Sequence, residues 1–151
     1  MPKESEAKEL YRQLAREGVY EEAHFDPVEM KKVVQMVEED YAFGKRLREL
    51  PKPNWRVIFN IHYDVLRELC DQLMRLKRQK CNNHQGVFLF VFLHFPDLEL
   101  DWPFLEKVRT VRNQNKYKGL DISLKMWKEI ELKLDLYIAT FQKELNSGVK
   151  R

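Results

Sequence analysis

Between Lys107 and Leu120 the chain gathers five cations, Lys107, Arg109, Arg112, Lys116 and Lys118, with no acidic residue among them. Arg109, Arg112 and Lys116 stand at i, i+3 and i+7, so on a helix they share one face. A guanidinium binds phosphate oxygens bidentately, and Asn113 and Tyr117, one turn apart beside the cations, add an amide and a phenol for hydrogen bonding or stacking. In a chain of net charge +3 this local excess predicts a face for phosphates or other anions. The same residues also fit a solvated helix C-terminus whose cations complement the helix dipole. A second acid-free stretch carries Arg75, Lys77, Arg78 and Lys80, with no Asp or Glu between Asp71 and Asp97.

Other chemistries find little support. There is no Gly-rich phosphate loop, dinucleotide fingerprint, His-Glu-x-x-His or Gly-x-Ser-x-Gly elbow. Serine and threonine total five residues, and Cys70 and Cys81 lie in or beside an apolar helix that raises a thiol pKa, so covalent catalysis is not expected. On one continuous helix those cysteines stand roughly 16 Å apart, against about 5.5 Å for a disulfide. Cys81-Asn82-Asn83-His84 is half of a zinc spacing without its second half, and His24, His62, His84 and His94 are scattered, so neither a metal nor a cofactor is expected. A proton shuttle for the cationic face has one candidate. Antiparallel connections would bring His84, at the start of its helix, near the end of the helix that carries Arg112; alternatively His84 only bonds backbone or solvent there.

The elements that must position these groups read as helices. Ala7, Leu10, Tyr11 and Leu14 form a short stripe ending near Gly18, so residues 1–25 make a peripheral N-terminal helix. Asp26-Pro27 caps a long helix striped by Met30, Val33, Val34, Val37, Tyr41, Gly44 and Leu47, stopped by Pro51 and Pro53. Asn54 opens a helix reaching Lys80, with Ile58, Ile61, His62, Val65, Leu69, Leu73 and Leu76 on one face. The run Val87 to Leu93 suits a buried strand or helix; without a partner strand it reads as a buried helix over 83–94. Leu98 and Leu100 plug the core from a loop. Asp101 caps a helix ended by Gly119, and Asp121 or Ser123 starts the last one, striped by Trp127, Ile130, Leu134, Tyr137, Ile138, Phe141 and Leu145. Gly148 and the basic Lys150-Arg151 tail fray. The 151 residues are expected to form a single all-α domain, an up-and-down helical bundle of four core helices plus the short N-terminal helix. No apolar run approaches the roughly 20 residues of a membrane span, and the charged start lacks a signal-peptide core, which predicts a cytoplasmic protein.

The segment Asn83-His84-Gln85-Gly86-Val87-Phe88 opening a hydrophobic helix, followed by Leu105-Glu106-Lys107-Val108-Arg109-Thr110-Val111-Arg112-Asn113-Gln114-Asn115-Lys116-Tyr117-Lys118-Gly119 before the final helix, resembles the HEPN superfamily (higher eukaryotes and prokaryotes nucleotide-binding). The resemblance spans roughly Glu29 to Leu145. It implies a helical bundle, frequently a homodimer with the motif at the subunit interface. Many such proteins are metal-independent RNases or toxins paired with a minimal nucleotidyltransferase, and others are non-catalytic RNA-binding modules. The family's catalytic motif is Arg, a polar residue, and a histidine a few positions on. Arg112 and Asn113 match the first two, but Tyr117, Lys118 and Gly119 fill the histidine positions, and no histidine follows His94. Tyrosine and lysine, with pKa values near 10, do not replace imidazole at neutral pH.

Three functions follow as expectations. The first is a HEPN-like protein that binds RNA or a nucleotide through Arg109, Arg112, Asn113, Lys116, Tyr117 and His84, within a toxin-antitoxin or defence pair. The second is a metal-independent RNase of low activity using Arg112 and Asn113 with His84 or Tyr117. The third is a non-catalytic scaffold for a protein partner.

Overall fold

The computed structural model describes residues 2–149, with side chains placed for residues 4–148. Six helices carry the fold: α1 (Pro2–Arg16), α2 (Pro27–Leu47), α3 (Trp55–Leu76), α4 (His84–His94), α5 (Trp102–Lys118) and α6 (Leu124–Val149). Glu21–Glu22 (β1) and Gln79–Lys80 (β2) form one small antiparallel ladder. None of the described helices is long and apolar enough to cross a membrane. The termini follow local chemistry. Asp26, Asn54 and Asn83 accept from the backbone N–H of Val28, Val57 and Gly86 at 2.9, 3.1 and 2.8 Å, and Ser123 from Met126 at 3.2 Å, each satisfying a donor that the helix leaves open. Gly119 closes α5 with φ +68°, a left-handed conformation natural to glycine.

α3 departs most from expectation. Besides Ile58, His62, Val65, Leu69 and Leu73 of the expected stripe, whose Ile61 and Leu76 are only half-buried, it buries Phe59, Tyr63, Leu66, Cys70 and Met74, so it is the central helix rather than an amphipathic one. α2, α4, α5 and α6 all pack around it, making five core helices where four were expected; α1 adds Ala7 and Leu14 to the core across α4 and α5. α3 also ends at Leu76, one turn short of Lys80. Arg78 turns left-handed at φ +60°, and the next two residues pair instead with β1. That ladder carries the chain back, so α4 starts beside Tyr63, with the Tyr63 hydroxyl 3.1 Å from His84 Nδ1, and finishes near Lys77, whose Nζ lies 4.9 Å from the Phe95 ring centroid. α3 and α4 therefore run in the same sense, one break in the expected up-and-down alternation. Cys81 follows the ladder and is not on α3, so the helical-spacing argument does not hold; both thiols are free and buried.

Three smaller expectations also change. Asp101 makes no capping bond: its carboxylate takes Lys133 Nζ at 3.2 Å while its N–H donates to Tyr137 at 2.7 Å, tying α5 to α6. Gly148 does not fray but belongs to α6, where a Cβ would meet Leu76 at 2.7 Å. Lys150 and Arg151 lie outside the described residues.

One polar hub joins α2, α3 and α6. Arg48, at the C-terminal cap of α2, sends Nη1 and Nη2 to the two oxygens of Asp135 at 2.9 and 2.7 Å, the fork geometry that makes such pairs strong. Tyr41 donates to Asp135 at 2.8 Å. The Arg48 guanidinium lies 5.0 Å from the Trp127 ring centroid and 3.4 Å from Glu131, which also accepts the Trp127 indole N–H at 2.8 Å. His62 is fully buried. Its Nδ1 must donate to the Ile58 carbonyl at 2.7 Å, so Nε2 accepts from Arg48 at 2.6 Å, which fixes a neutral ring. Burial, reinforced by Arg48 and opposed by the Ile58 bond, lowers the His62 pKa to about 4. Burial pushes Asp135 up, yet the bonds from Arg48 and Tyr41 outweigh it and hold the carboxyl below its usual value. Gly44 lets α2 approach: a Cβ there would meet His62 Cε1 at 2.9 Å and Ile61 at 3.0 Å.

Two outcomes follow. Between pH 6.5 and 4 the unfolded chain binds a proton at this histidine that the folded chain refuses, so stability falls as pH drops through that window, by about 3 kcal/mol at most from His62. Denaturant melts across pH 4–8 will show this slope, and His62→Gln will be less stable at pH 7 but flatter with pH. Gly44→Ala will destabilise by about 1–3 kcal/mol, because the imidazole it strikes is held at both nitrogens.

Candidate anion-binding site

α5 lies antiparallel to α3, so the Arg112 end of α5 meets the middle of α3. Arg112 Nη1 donates to Asp64 at 3.1 Å, and one turn on Asn60 donates to Asn115 at 3.3 Å. Only 11% of the Arg112 side chain is exposed, against 50% of Asp64, and the guanidinium lies 4.9 Å from the Tyr63 ring centroid. His84, the first residue of α4, meets the hydroxyl of the same ring at 3.1 Å. The structure thus brings His84 and Arg112 onto one buried tyrosine, the proximity that helix order suggested.

The electrostatics favour a neutral imidazole among cations. Burial lowers the His84 pKa, and Arg67, Arg112 and Lys116 push it further down against the pull of Asp64. Burial raises Tyr63 to about 12 despite Arg112, Arg109 and Arg67, so it remains a phenol. The bond between the Tyr63 hydroxyl and His84 Nδ1 runs in either sense according to the tautomer, and with the ring proton on Nδ1 the Nε2 lone pair is free to accept another. A neutral imidazole, a clamped guanidinium and the charges of Arg67 and Lys116 suit a phosphate or another anion, because such a group screens the mutual repulsion of the cations.

The expected cationic face is divided in space. Arg109 closes its fork on Glu106 at 3.2 and 3.1 Å, and Glu106 also accepts from Gln85 at 3.0 Å, tying α5 to the first turn of α4. Lys107 lies 3.5 Å from Glu129. Lys116 is exposed, with Nζ 5.7 Å from the ring centroid of Tyr117, itself 73% exposed and open to stacking. Asn113 is half-buried and makes no side-chain hydrogen bond among the described residues; neighbouring Asn115 bonds Asn60 and the Leu120 carbonyl instead. Neither Asn113 nor Tyr117 hydrogen-bonds His84, whose side-chain partner is Tyr63. The second acid-free stretch is also offset: Arg75 pairs with Asp71 at 3.1 Å, Lys80 lies 3.8 Å from Glu21, and Lys77 covers Phe95.

Sequence reasoning missed Tyr63, Asp64, Arg67 and Glu106. Phe59, Tyr63, Leu66 and Cys70 repeat at i, i+4, i+7 and i+11, a second stripe that marks α3 as buried on two sides and Tyr63 as facing a neighbour. Compared with known proteins, the chain matches no family model, no curated protein and no solved structure.

The grouping is testable by NMR. The imidazole resonances of His84 will titrate below pH 6.5 in the wild type. Arg112→Gln or Arg67→Gln will move that midpoint upward, and Asp64→Asn will move it downward; an unchanged midpoint in all three would separate His84 from these charges.

Proposed function

We propose that this chain is a HEPN-like helical protein that binds RNA or a nucleotide through the face around Arg112. The observation that carries this reading is the convergence of His84, Arg112 and Arg67 around Tyr63, with Lys116 near enough to act on His84. Lys116 and Tyr117 are open to solvent beside it, supplying phosphate charge and a stacking ring for a single-stranded base. Arg112 is already paired, so Asp64 competes with the ligand for the guanidinium. In the same reading the protein works in the cytoplasm as a homodimer, paired with a minimal nucleotidyltransferase in a toxin-antitoxin or defence system. The exposed Leu132 and Leu136, one turn apart on α6, offer apolar surface for the second copy.

Fluorescence anisotropy with a single-stranded RNA oligonucleotide tests the binding. Arg112→Ala with Lys116→Ala will weaken affinity at least tenfold and reduce the log–log salt slope by about 1.4, two phosphate contacts at roughly 0.7 each. Asp64→Asn will strengthen binding by freeing Arg112. Wild-type affinity in the double variant would overturn the reading.

A second reading rests on the neutral His84. An imidazole able to accept a proton, next to an arginine able to stabilise negative charge, supplies what the motif positions after Arg112 lack, and supports a metal-independent RNase of low activity. Cleavage of structured RNA in the presence of chelator should then be lost in His84→Ala, while RNA binding persists. Equal cleavage by the two proteins would rule it out.

A further inference from the structure

On another face, α2 and α3 leave a cleft of about 500 Å³ between them. Phe25, Met30, Val33 and Met36 give it an apolar floor, with Met36 63% exposed, an adaptable side chain at a surface position. Its rim is acidic. Of the charged residues lining it, Arg75 is taken by Asp71 at 3.1 Å and Arg67 lies 3.9 Å from Glu68, which leaves Asp26, Glu29 and Asp40 without a cation among the described residues. Glu29 and Asp40 are eleven residues apart on α2, so the negative rim extends for roughly 16 Å.

Gln72 offers an occupant of the cleft a free amide. It lines the cleft, is only 7% exposed, and makes no hydrogen bond among the described residues. The buried side-chain atoms that lack a partner among the described residues are Arg48 Nε and Asn60 Oδ1, so the Gln72 amide reaches the solvent of the cleft, and an incoming backbone, with both N–H and C=O groups, can take the place of water on both its groups. The field in the cleft agrees. Burial raises the Glu68 pKa, and although Arg67 opposes this, Asp40, Asp64 and Asp71 reinforce it.

We infer that the α2–α3 cleft binds a basic, amphipathic peptide segment of a partner protein, its apolar side chains on Met30, Val33 and Met36, its lysines or arginines on Glu29 and Asp40, and its main chain on Gln72. A small cation accounts for neither the apolar floor nor carboxylates three helical turns apart. A segment of about three turns, or an extended strand of five residues, matches both. This cleft shares Arg67 with the site around His84 but not Glu29, Asp40 or Arg112, and these three separate the two bindings.

The test uses the full-length protein and a fluorescein-labelled synthetic peptide of alternating leucine and lysine clusters, with a peptide of the same composition in scrambled order as control. The amphipathic peptide should bind at least tenfold tighter than the scrambled one and shift the amide resonances of Met36, Asp40 and Gln72. Glu29→Lys with Asp40→Lys should weaken it at least tenfold. Gln72→Leu should weaken it several-fold while leaving Tm equal or higher, an outcome that a purely structural glutamine would not give. Arg112→Ala should change nothing. Three results each overturn the inference: no shifts at the cleft at millimolar peptide, equal affinity for the scrambled peptide, or full competition by spermidine at matched charge.

Discussion

Arg48 holds three helices in register through one side chain. It leaves the last turn of α2, reaches across the buried His62 of α3, and ends in a fork on Asp135 of α6 over the Trp127 ring. Both terminal nitrogens of that guanidinium are partnered while its Nε is buried without a partner among the described residues, and removal of a partner from such a cluster strands a charge. Gly44 and His62 set how closely α2 and α3 approach, and Arg48 and Asp135 set where α6 lies along them. Because α3 is central, fixing it from this side also fixes what its opposite side presents to α4 and α5.

That opposite side carries Tyr63, Asp64 and Arg67. The site around His84 and Arg112 is therefore built on a helix held in register by a hub of different chemistry. Both histidines are neutral, for different reasons. At His62 the ring is fully buried and its two nitrogens are committed, which fits a structural role. At His84 the ring is half-buried at a helix start and one nitrogen remains uncommitted among arginines, which fits a role toward a ligand.

Most helix termini were legible because capping is local: Asp26, Asn54, Asn83 and Gly119 act within a few residues of themselves. The stripe of α6 was equally clear, since its buried residues keep to one helical face. What escaped was set by distant partners. The end of α3 depends on β1, more than fifty residues upstream, offering ladder bonds to Gln79 and Lys80. The cationic stretch looked free of acids because Asp64 and Glu106 come from another helix and from just outside its boundary. His84 lay within reach of inference, since short antiparallel connections place helix starts beside helix ends. Tyr63 did not, because the stripe from Ile58 to Leu76 already gives α3 one buried face, and a second one through Phe59 and Tyr63 depends on neighbours enclosing the helix from the other side.

The proposed function rests on the Arg112 face being where RNA lies, and photocrosslinking reads that directly. A single-stranded RNA carrying 4-thiouridine, irradiated with the wild-type protein and digested, should leave nucleotide adducts on the α5 segment containing Lys116 and Tyr117 and on the peptide that begins α4 at His84. Adducts confined to Arg75–Lys80, or spread over the surface without preference, would contradict the account.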